Sequence, residues 1–450
     1  MSAVAQLWVA RGAHVTGTDK RRSAYFEALE AAGADVRIGH DASMVDGVDA
    51  VVVSSAVRES NPELTAARAA GIAVWHRSEA LVKALEGRRL VAVAGSHGKT
   101  TTSAMVATAL HGAGIDASFA VGARVFGVEG AVAGGYGGTS DVAVVEADES
   151  DGSFLRYRPA VGIITNIEID HLDHYGTEAA LIQAFAEFAS QCDVLVVCSD
   201  DPRAAALARD MAASPSGVRV ITYGIGTADV TVADGTVLNS GIVSRNGVEY
   251  ALTLPVPGAH NRLNAAAAWV AAVEMGADPA AAARALASFA GTGRRYQVRG
   301  HARGITVIDD YAHHPTEVAA LLAAARHDSS QRLVVLFQPA LFSRTQMLGA
   351  DFGAALSAPN THVVLAPVHG DREDPIEGVT SQLIADAVDL KDGQSLVMAS
   401  SLEEAASLAA DAAVSGDVVL TVGSGTVTEA AQWILDVLQA RGGPLEGESR

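Results

Sequence analysis

A short apolar run, Leu90-Val91-Ala92-Val93-Ala94, passes directly into Gly95-Ser96-His97-Gly98-Lys99-Thr100-Thr101-Thr102, and a helical pattern begins at Lys99. This one junction constrains the fold more than any other part of the chain. A buried strand, a glycine turn and a Lys-Thr pair opening a helix make a phosphate loop, because backbone amides of the turn and of the helix N-terminus face a polyphosphate. Lys99 would neutralise that anion, and the Thr100 hydroxyl would reach a magnesium ion. Gly95, Ser96, His97, Gly98, Lys99, Thr100 and Thr101 are therefore the expected nucleotide-binding residues. Two residues separate Gly95 from Gly98, fewer than in the common form of the loop. A buried strand feeding a helix also implies a sheet covered by helices, so the fold expected is α/β.

Lysine usage isolates the same residue. Only Lys20, Lys83, Lys99 and Lys391 occur, against 28 arginines, so arginine serves nearly everywhere a generic cation would do. A compact, rotatable ammonium suits a phosphate loop as a point charge, and the planar guanidinium does not replace it readily. The net charge of −20 opposes association with nucleic acid or an anionic membrane surface. No apolar run approaches the ~20 residues of a membrane span. The opening Met1-Ser2-Ala3-Val4-Ala5-Gln6 lacks a basic signal-peptide region, which points to the cytoplasm. Cys192 and Cys198 flank the apolar run Val194 to Val197 and read as buried thiols.

At 450 residues and 49% hydrophobic, the chain can bury several cores. Short apolar runs alternate with helical patterns before residue 89: Ala13 to Gly17, a helix from Ser23, Asp49 to Val53, a helix at Asn61-Pro62-Glu63, and Ala73 to Trp75. After the phosphate loop, strands are expected at Val142 to Val145, Val161 to Thr165 and Val194 to Val197. From Ala228 to Pro257 the turn signals Asp234-Gly235 and Asn246-Gly247 mark a small antiparallel appendage. Alanine-rich helices follow from Asn261 and Pro279, and Gly291-Thr292-Gly293 has the composition of a hinge. Beyond it, strands at Ile305 to Ile308, Leu333 to Phe337, His362 to Leu365 and Val418 to Val422 again alternate with helices. Three domains are expected, at 1–88, 89–293 and 294–450.

Several constellations sit at predicted strand ends, where open α/β sheets hold their ligands. Glu146-Ala147-Asp148-Glu149-Ser150-Asp151 offers carboxylates for magnesium, a hard cation that takes oxygen ligands, with Glu146 preferred as the acid nearest the strand; a solvated acidic turn is the alternative. Asp170-His171-Leu172-Asp173-His174 crowds imidazoles beside acids, and a neutral imidazole can ligate a metal or orient a phosphate oxygen. His260-Asn261-Arg262-Leu263-Asn264 opens a helix, where Asn is also a common cap. Gly293-Arg294-Arg295-Tyr296, Asp309-Asp310-Tyr311-Ala312-His313-His314-Pro315 and Gln338 to Thr345 complete the set. Arg344 is a candidate anion clamp.

Taken together, these segments resemble the Mur ligase family over nearly the whole chain. The resemblance rests on Gly95 to Thr102, Glu146 to Phe154, Thr165-Asn166-Ile167 with Asp170-His171, His260-Asn261 with Asn264, and Asp309 to Glu317. It implies an N-terminal Rossmann-like UDP-sugar domain, a central phosphate-loop ATPase domain and a C-terminal Rossmann-like amino-acid domain. Ser54-Ser55-Ala56, Asn61-Pro62 and Arg77-Ser78-Glu79 resemble the uridine-nucleotide side of the first. The implied reaction is attack of the lactyl carboxylate of UDP-N-acetylmuramate on ATP, with L-alanine then displacing phosphate, in peptidoglycan precursor synthesis. The implied metal ligands are Thr100, Glu146 and His171, with ATP and Mg2+ as cofactors. Lys99, His171, His313 and Arg344 are the implied catalytic set, Asn261 and Asp309 meeting adenine and ribose. The protein would be a monomer or homodimer.

Leu172 to Gln191 contains no lysine, whereas several related ligases carry a carbamylated lysine there; the alanine-adding branch lacks it. Three departures accompany the resemblance. The opening Met1-Ser2-Ala3 corresponds to the helix that follows the family's first strand and glycine-rich turn. Ala340-Leu341 stands where His-Arg or His-Leu is usual, and Gly423-Ser424-Gly425-Thr426 where Gly-Ala-Gly-Asp is. The last two bear on the amino-acid site. A ligase joining a peptide to the same sugar nucleotide, a nucleotide-binding relative without ligase activity, and a kinase-like phosphoryl-transfer enzyme are the alternatives.

Overall fold

The computed structural model of the chain describes residues 1–54, 57–235, 239–326, 332–371 and 373–441. Two compact units are present, 1–255 with 260–292, and 256–259 with the residues from 293 onward. Both are α/β, as the alternating pattern predicts.

In the first unit, strands β1 (Thr16–Asp19) and β2 (Asp35–Ile38) form one parallel pair, and β3 (Ala50–Val53) and β4 (Ala73–His76) another. The helix Ser2–Ala10 precedes them and buries Val4 and Leu7. The helices start where local chemistry dictates. Ser23 accepts from the Phe26 amide, and Asn61, followed by Pro62, accepts from the amides of Glu63 and Leu64. The same Asx-Pro signature opens Pro202–Ala213 and Pro279–Ala285, because the cap oxygen satisfies an orphan amide and proline lacks one.

The main sheet of this unit is built from β5 (Arg89–Ala94), β6 (Ser118–Ala120), β7 (Gly135–Tyr136), β8 (Val142–Glu146), β9 (Val161–Ile164), β10 (Val194–Cys198), β11 (Arg219–Gly224), β12 (Val230–Asp234), β13 (Ser240–Arg245) and β14 (Val248–Thr253). Their spatial order is β14-β13-β12-β11-β10-β9-β5-β8-β6-β7. Strand β5 pairs in parallel with β8 on one side and β9 on the other, so strand order reverses at β5. That switch point opens a crevice at the strands' carboxyl ends, the usual ligand position in open α/β sheets. The expected antiparallel appendage is present and continuous with the main sheet, β13 and β14 extending it through β12. Asn246 and Gly247, at φ 53° and 76°, form the two-residue turn between them.

Helix Lys99–Gly112 is buried from Thr100 to Leu110, which accounts for its small Thr, Ser and Ala side chains. A Cβ on Gly112 would lie 2.3 Å from Ala285 Cβ, so the alanine-rich helices pack on it at close range. Both thiols are buried, and burial pushes Cys192 up to about 12.

The second unit holds β15 (Gln297–Ala302), β16 (Ile305–Asp310), β17 (Leu333–Phe337), β18 (Thr361–Leu365), β19 (Ser395–Met398) and β20 (Val418–Val422) in the order β15-β16-β20-β17-β18-β19. Only β15 runs antiparallel to its neighbour. Strands β16, β20, β17 and β18 therefore end on one edge. Among the described residues no helix is long and apolar enough to cross a membrane.

Candidate active site

Three loops converge on the switch point of the first unit, each from the carboxyl end of a neighbouring strand: 95–98 after β5, 147–152 after β8 and 165–171 after β9. The glycine loop is tied to the loop after β9. The Ser96 amide donates to Asn166 O at 3.1 Å, the His97 amide to Asn166 Oδ1 at 2.8 Å, and Thr165 Oγ1 to His97 O at 2.6 Å. His97 Nε2 lies 2.7 Å from Glu168 Oε2. Two glycines are required by space as well as backbone. A Cβ on Gly95, at φ 125°, would fall 2.1 Å from Thr165 Oγ1, and one on Gly98, at φ 84°, 2.8 Å from Asn264 Oδ1. Asn264 thus closes on the loop, and its amide reaches Asn261 Oδ1 at 3.4 Å, both side chains being buried.

Gly98 caps helix Lys99–Gly112 without a side-chain acceptor, so the first-turn amides, Thr100 and Thr101 included, remain oriented toward an anion. Lys99 Nζ donates to Gly95 O at 2.8 Å, Ser96 O at 3.2 Å and Glu149 Oε1 at 2.9 Å. Burial works to lower the ammonium pKa, but Glu149, Asp148 and Glu146 outweigh it and hold it above its ordinary value. Thr100 Oγ1 donates to Glu146 Oε1 at 2.9 Å, and the Gly122 amide donates to Glu146 Oε2 at 2.6 Å. Hydroxyl and carboxylate side by side form an oxygen donor set that fits a hard divalent cation.

His171 sits beside Glu149 rather than in the Thr100–Glu146 pair: Nε2 is 3.9 Å from Glu149 Oε1 and 3.6 Å from Asp170 Oδ2. Its backbone is left-handed, at φ 57°, ψ 32°, a conformation that strains a side-chain-bearing residue and recurs at functional sites. Glu149, passed over in the sequence in favour of Glu146, is the most buried acid of the loop. Residue order singles out Glu146, which meets Thr100; that Glu149 rather than Asp148 bonds Lys99 is decided by the turn after β8. Arg77, from the helix after β4, brings Nη2 within 3.9 Å of Asp148 and 4.0 Å of Asp151. Ser55 and Ala56, named above for the uridine side, lie outside the described residues.

In the second unit, His313, Arg344, the loop 423–426 and His369 all stand at the carboxyl edge of the sheet. His313 Nδ1 is 3.0 Å from Tyr311 O and 3.2 Å from Glu317 Oε2. Desolvation, opposed by Glu317 and reinforced by Arg344 and Arg295, pushes the imidazole down to about 4, so it is neutral near pH 7. Asp309 is fully buried and accepts from Thr421 Oγ1 at 2.9 Å and Thr428 Oγ1 at 2.6 Å, so both its oxygens face the unit's interior. The neighbouring Asp310 accepts the amides of Tyr296 and Ala312, and burial raises it to about 6.

Arg294 donates to the carbonyls of Gly423, Ser424 and Gly425, and both Arg294 and Arg295 stack on the Tyr311 ring, at 4.8 and 5.1 Å. Thr426 hydrogen-bonds Gln338, whose Oε1 accepts the Val427 amide. Ala340 is bridged to His369 in parallel register. The arginine and tyrosine roles were visible in the sequence only as a motif near a hinge.

The sequence matches the family model of the Mur ligase family catalytic domain over residues 1–89, that of the Mur ligase middle domain over 93–272, and that of the Mur ligase glutamate ligase domain over 294–425. It is 49% identical over 445 residues to the UDP-N-acetylmuramate--L-alanine ligase of Paenarthrobacter aurescens (strain TC1), covering 97% of this chain and 94% of that one. Identity to the enzyme of the same name from Thermobifida fusca (strain YX) is 43%, covering 97% and 94%. The crystal structure of a UDP-N-acetylmuramate-alanine ligase from Thermotoga maritima superposes with a TM-score of 0.80 at 28% identity, covering 98% of this chain and 97% of that one. A murein peptide ligase from Psychrobacter arcticus shares the fold, with a TM-score of 0.70 at 24% identity, covering 98% and 96%.

Proposed function

The chain belongs to the Mur ligase family, and from that premise we propose that it is an ATP-dependent ligase joining L-alanine to the lactyl carboxylate of UDP-N-acetylmuramate in peptidoglycan precursor synthesis. The observation that carries the reading is the convergence of Lys99, the Thr100–Glu146 pair, and His171 beside Glu149 on one switch point. Residues 1–88 carry the sugar nucleotide in this reading, 89–293 the ATP and 294–450 the amino acid. In this reading the reaction runs in the cytoplasm, a location that its charged nucleotide substrates support.

Two anions, a carboxylate and a triphosphate, must be brought together for this reaction, and screening their repulsion is the main task. Lys99 and the first-turn amides of helix Lys99–Gly112 provide fixed positive potential. Thr100 and Glu146 are the residues that would hold Mg2+, with His171 at the neighbouring loop; the cation supplies charge neutralisation at the transferring phosphoryl group. The lactyl carboxylate attacks the γ-phosphorus, the β,γ bond breaks, ADP leaves and an acyl phosphate forms; the amine of L-alanine then displaces phosphate and gives up a proton to leave the amide. His313, neutral near pH 7, can accept a hydrogen bond from the incoming ammonium, and Arg344 can clamp the alanine carboxylate.

The test is phosphate release from ATP by the purified protein with Mg2+, supplying UDP-N-acetylmuramate and L-alanine singly and together. Release that needs both, and is lost in Lys99→Ala, is expected. Binding of ATP with no release under any combination would overturn the ligase reading in favour of a nucleotide-binding relative, and release supported by a peptide but not by L-alanine would reassign the acceptor.

A further inference from the structure

The ammonium of Lys99 is fully occupied in this structure. An ammonium carries three protons, and Gly95 O, Ser96 O and Glu149 Oε1 take them, while Glu149 Oε2 lies 2.8 Å from Nζ. Glu149 is 1% exposed, so water does little to disperse its charge. Its position is held from the backbone as well, the Tyr175 hydroxyl donating to Glu149 O at 2.5 Å. A cation meant for a polyphosphate is thus engaged by a buried carboxylate of its own protein.

The surrounding charges sharpen the consequence. Lys99 and Arg77 are the cations that face Glu146, Asp148, Glu149 and Asp151, with Asp170 adding a further carboxylate beside His171. A polyanion entering alone meets surplus negative charge, and Lys99 turns toward it only by leaving Glu149. A divalent cation at Thr100 and Glu146 reverses that local balance, since a bound metal is the largest charge in such a site.

We infer that Glu149 is a positioning residue that holds Lys99 over the glycine loop and makes ATP binding conditional on a divalent cation. The inference rests on the ATP-binding reading above and adds to it the residue that enforces the metal requirement. Glu149 acts through Lys99. Its charge, and not its hydrogen bond, carries the effect, so Gln and Asp substitutions separate the two: Gln keeps the shape and one acceptor, and Asp keeps the charge at shorter reach.

The experiment is calorimetric titration of the full-length protein with ATP, once in EDTA and once with Mg2+, for wild type, Glu149→Gln and Glu149→Asp. Each variant's thermal midpoint is recorded beforehand. Wild type should bind far more tightly with Mg2+. In Glu149→Gln the affinity in EDTA should rise about tenfold or more and the ratio between the two conditions should contract by the same factor, whereas Glu149→Asp should keep the wild-type ratio. Equal weakening of Glu149→Gln in both conditions, with the ratio unchanged, would reduce Glu149 to a packing role. Should Glu149→Gln not fold, Glu149→Ala takes its place under the same two readings, and a contracted ratio in Glu149→Asp would overturn the inference. Wild-type protein that binds no ATP under either condition would defeat the ATP reading itself, and this inference with it.

Discussion

Replacing Lys99 with methionine removes the charge, keeps a stem of similar reach, and leaves Glu149 buried without its cation. Breaking a buried pair by deleting one partner costs about 3–5 kcal/mol, because the remaining charge has no compensation. With Lys99 itself 13% exposed, the lower end, about 3 kcal/mol, is the expected loss near pH 8. The loss also has a pH signature. Burial, opposed chiefly by Lys99, holds the Glu149 carboxyl above its ordinary 4.5, and Lys99→Met removes that opposition and raises it further.

A carboxyl whose folded pKa exceeds its unfolded value contributes stability that is present below the unfolded value and lost as pH rises through the folded one. The Lys99→Met deficit should therefore be small near pH 4.5 and grow with pH, by up to about 1.4 kcal/mol per unit, until Glu149 ionises. Adding Glu149→Gln should restore most of it at pH 8. Because a chain with two compact units need not unfold in one step, local opening is the proper measure: hydrogen exchange of the amides in helix Lys99–Gly112, at pH 5.5 and 8, for the single and double variants. A loss of equal size at both pH values, or a double variant no more protected than the single, would refute the reasoning.

Further outcomes follow from the same geometry. Gly98→Ala should lose ATP binding and about 1–3 kcal/mol of stability, measured by calorimetry and thermal melting, since it adds a 2.8 Å contact with Asn264 Oδ1, which must then move off the loop, to a left-handed backbone. The control Gly114→Ala, at φ 84° with nothing within 4 Å, should cost about 1 kcal/mol and leave binding unchanged. For His313, lowered from 6.5 to about 4, the associated stability is present above pH 6.5 and lost as pH falls through 4, and its ring protons should show no titration by NMR between pH 6 and 8. Thr100→Val, which removes the hydroxyl paired with Glu146, should raise the Mg2+ concentration needed for half-maximal phosphate release by about tenfold or more, while Thr100→Ser should stay near wild type.

Much of this protein is decided locally and can be read residue by residue. The strand-glycine-helix junction at Leu90 to Thr102, the Asx-Pro helix starts at Asn61 and Asp278, and the Asn246-Gly247 turn depend on neighbours within a few residues, so they appear in the sequence as they appear in the fold. The family resemblance lies in such local motifs, and the match to the Mur ligase middle domain and the 49% identity to a relative agree with it. Other features depend on partners far away in the chain. The short strands Ser118–Ala120 and Gly135–Tyr136 have too little apolar pattern to announce themselves and exist because β8 offers an open edge. The appendage joins the main sheet because β12 can pair in parallel with β11 on one side and antiparallel with β13 on the other. Which acid of Glu146, Asp148 and Glu149 meets Lys99 is settled by the parallel pairing of β8 with β5 and the turn that follows β8, which brings Thr100 to Glu146 across 46 positions and Lys99 to Glu149 across 50. Composition and spacing determined that a phosphate loop and a set of acids exist; tertiary pairing decided which of them touch, because a buried charge takes its partner from across the fold and not from beside it in the chain.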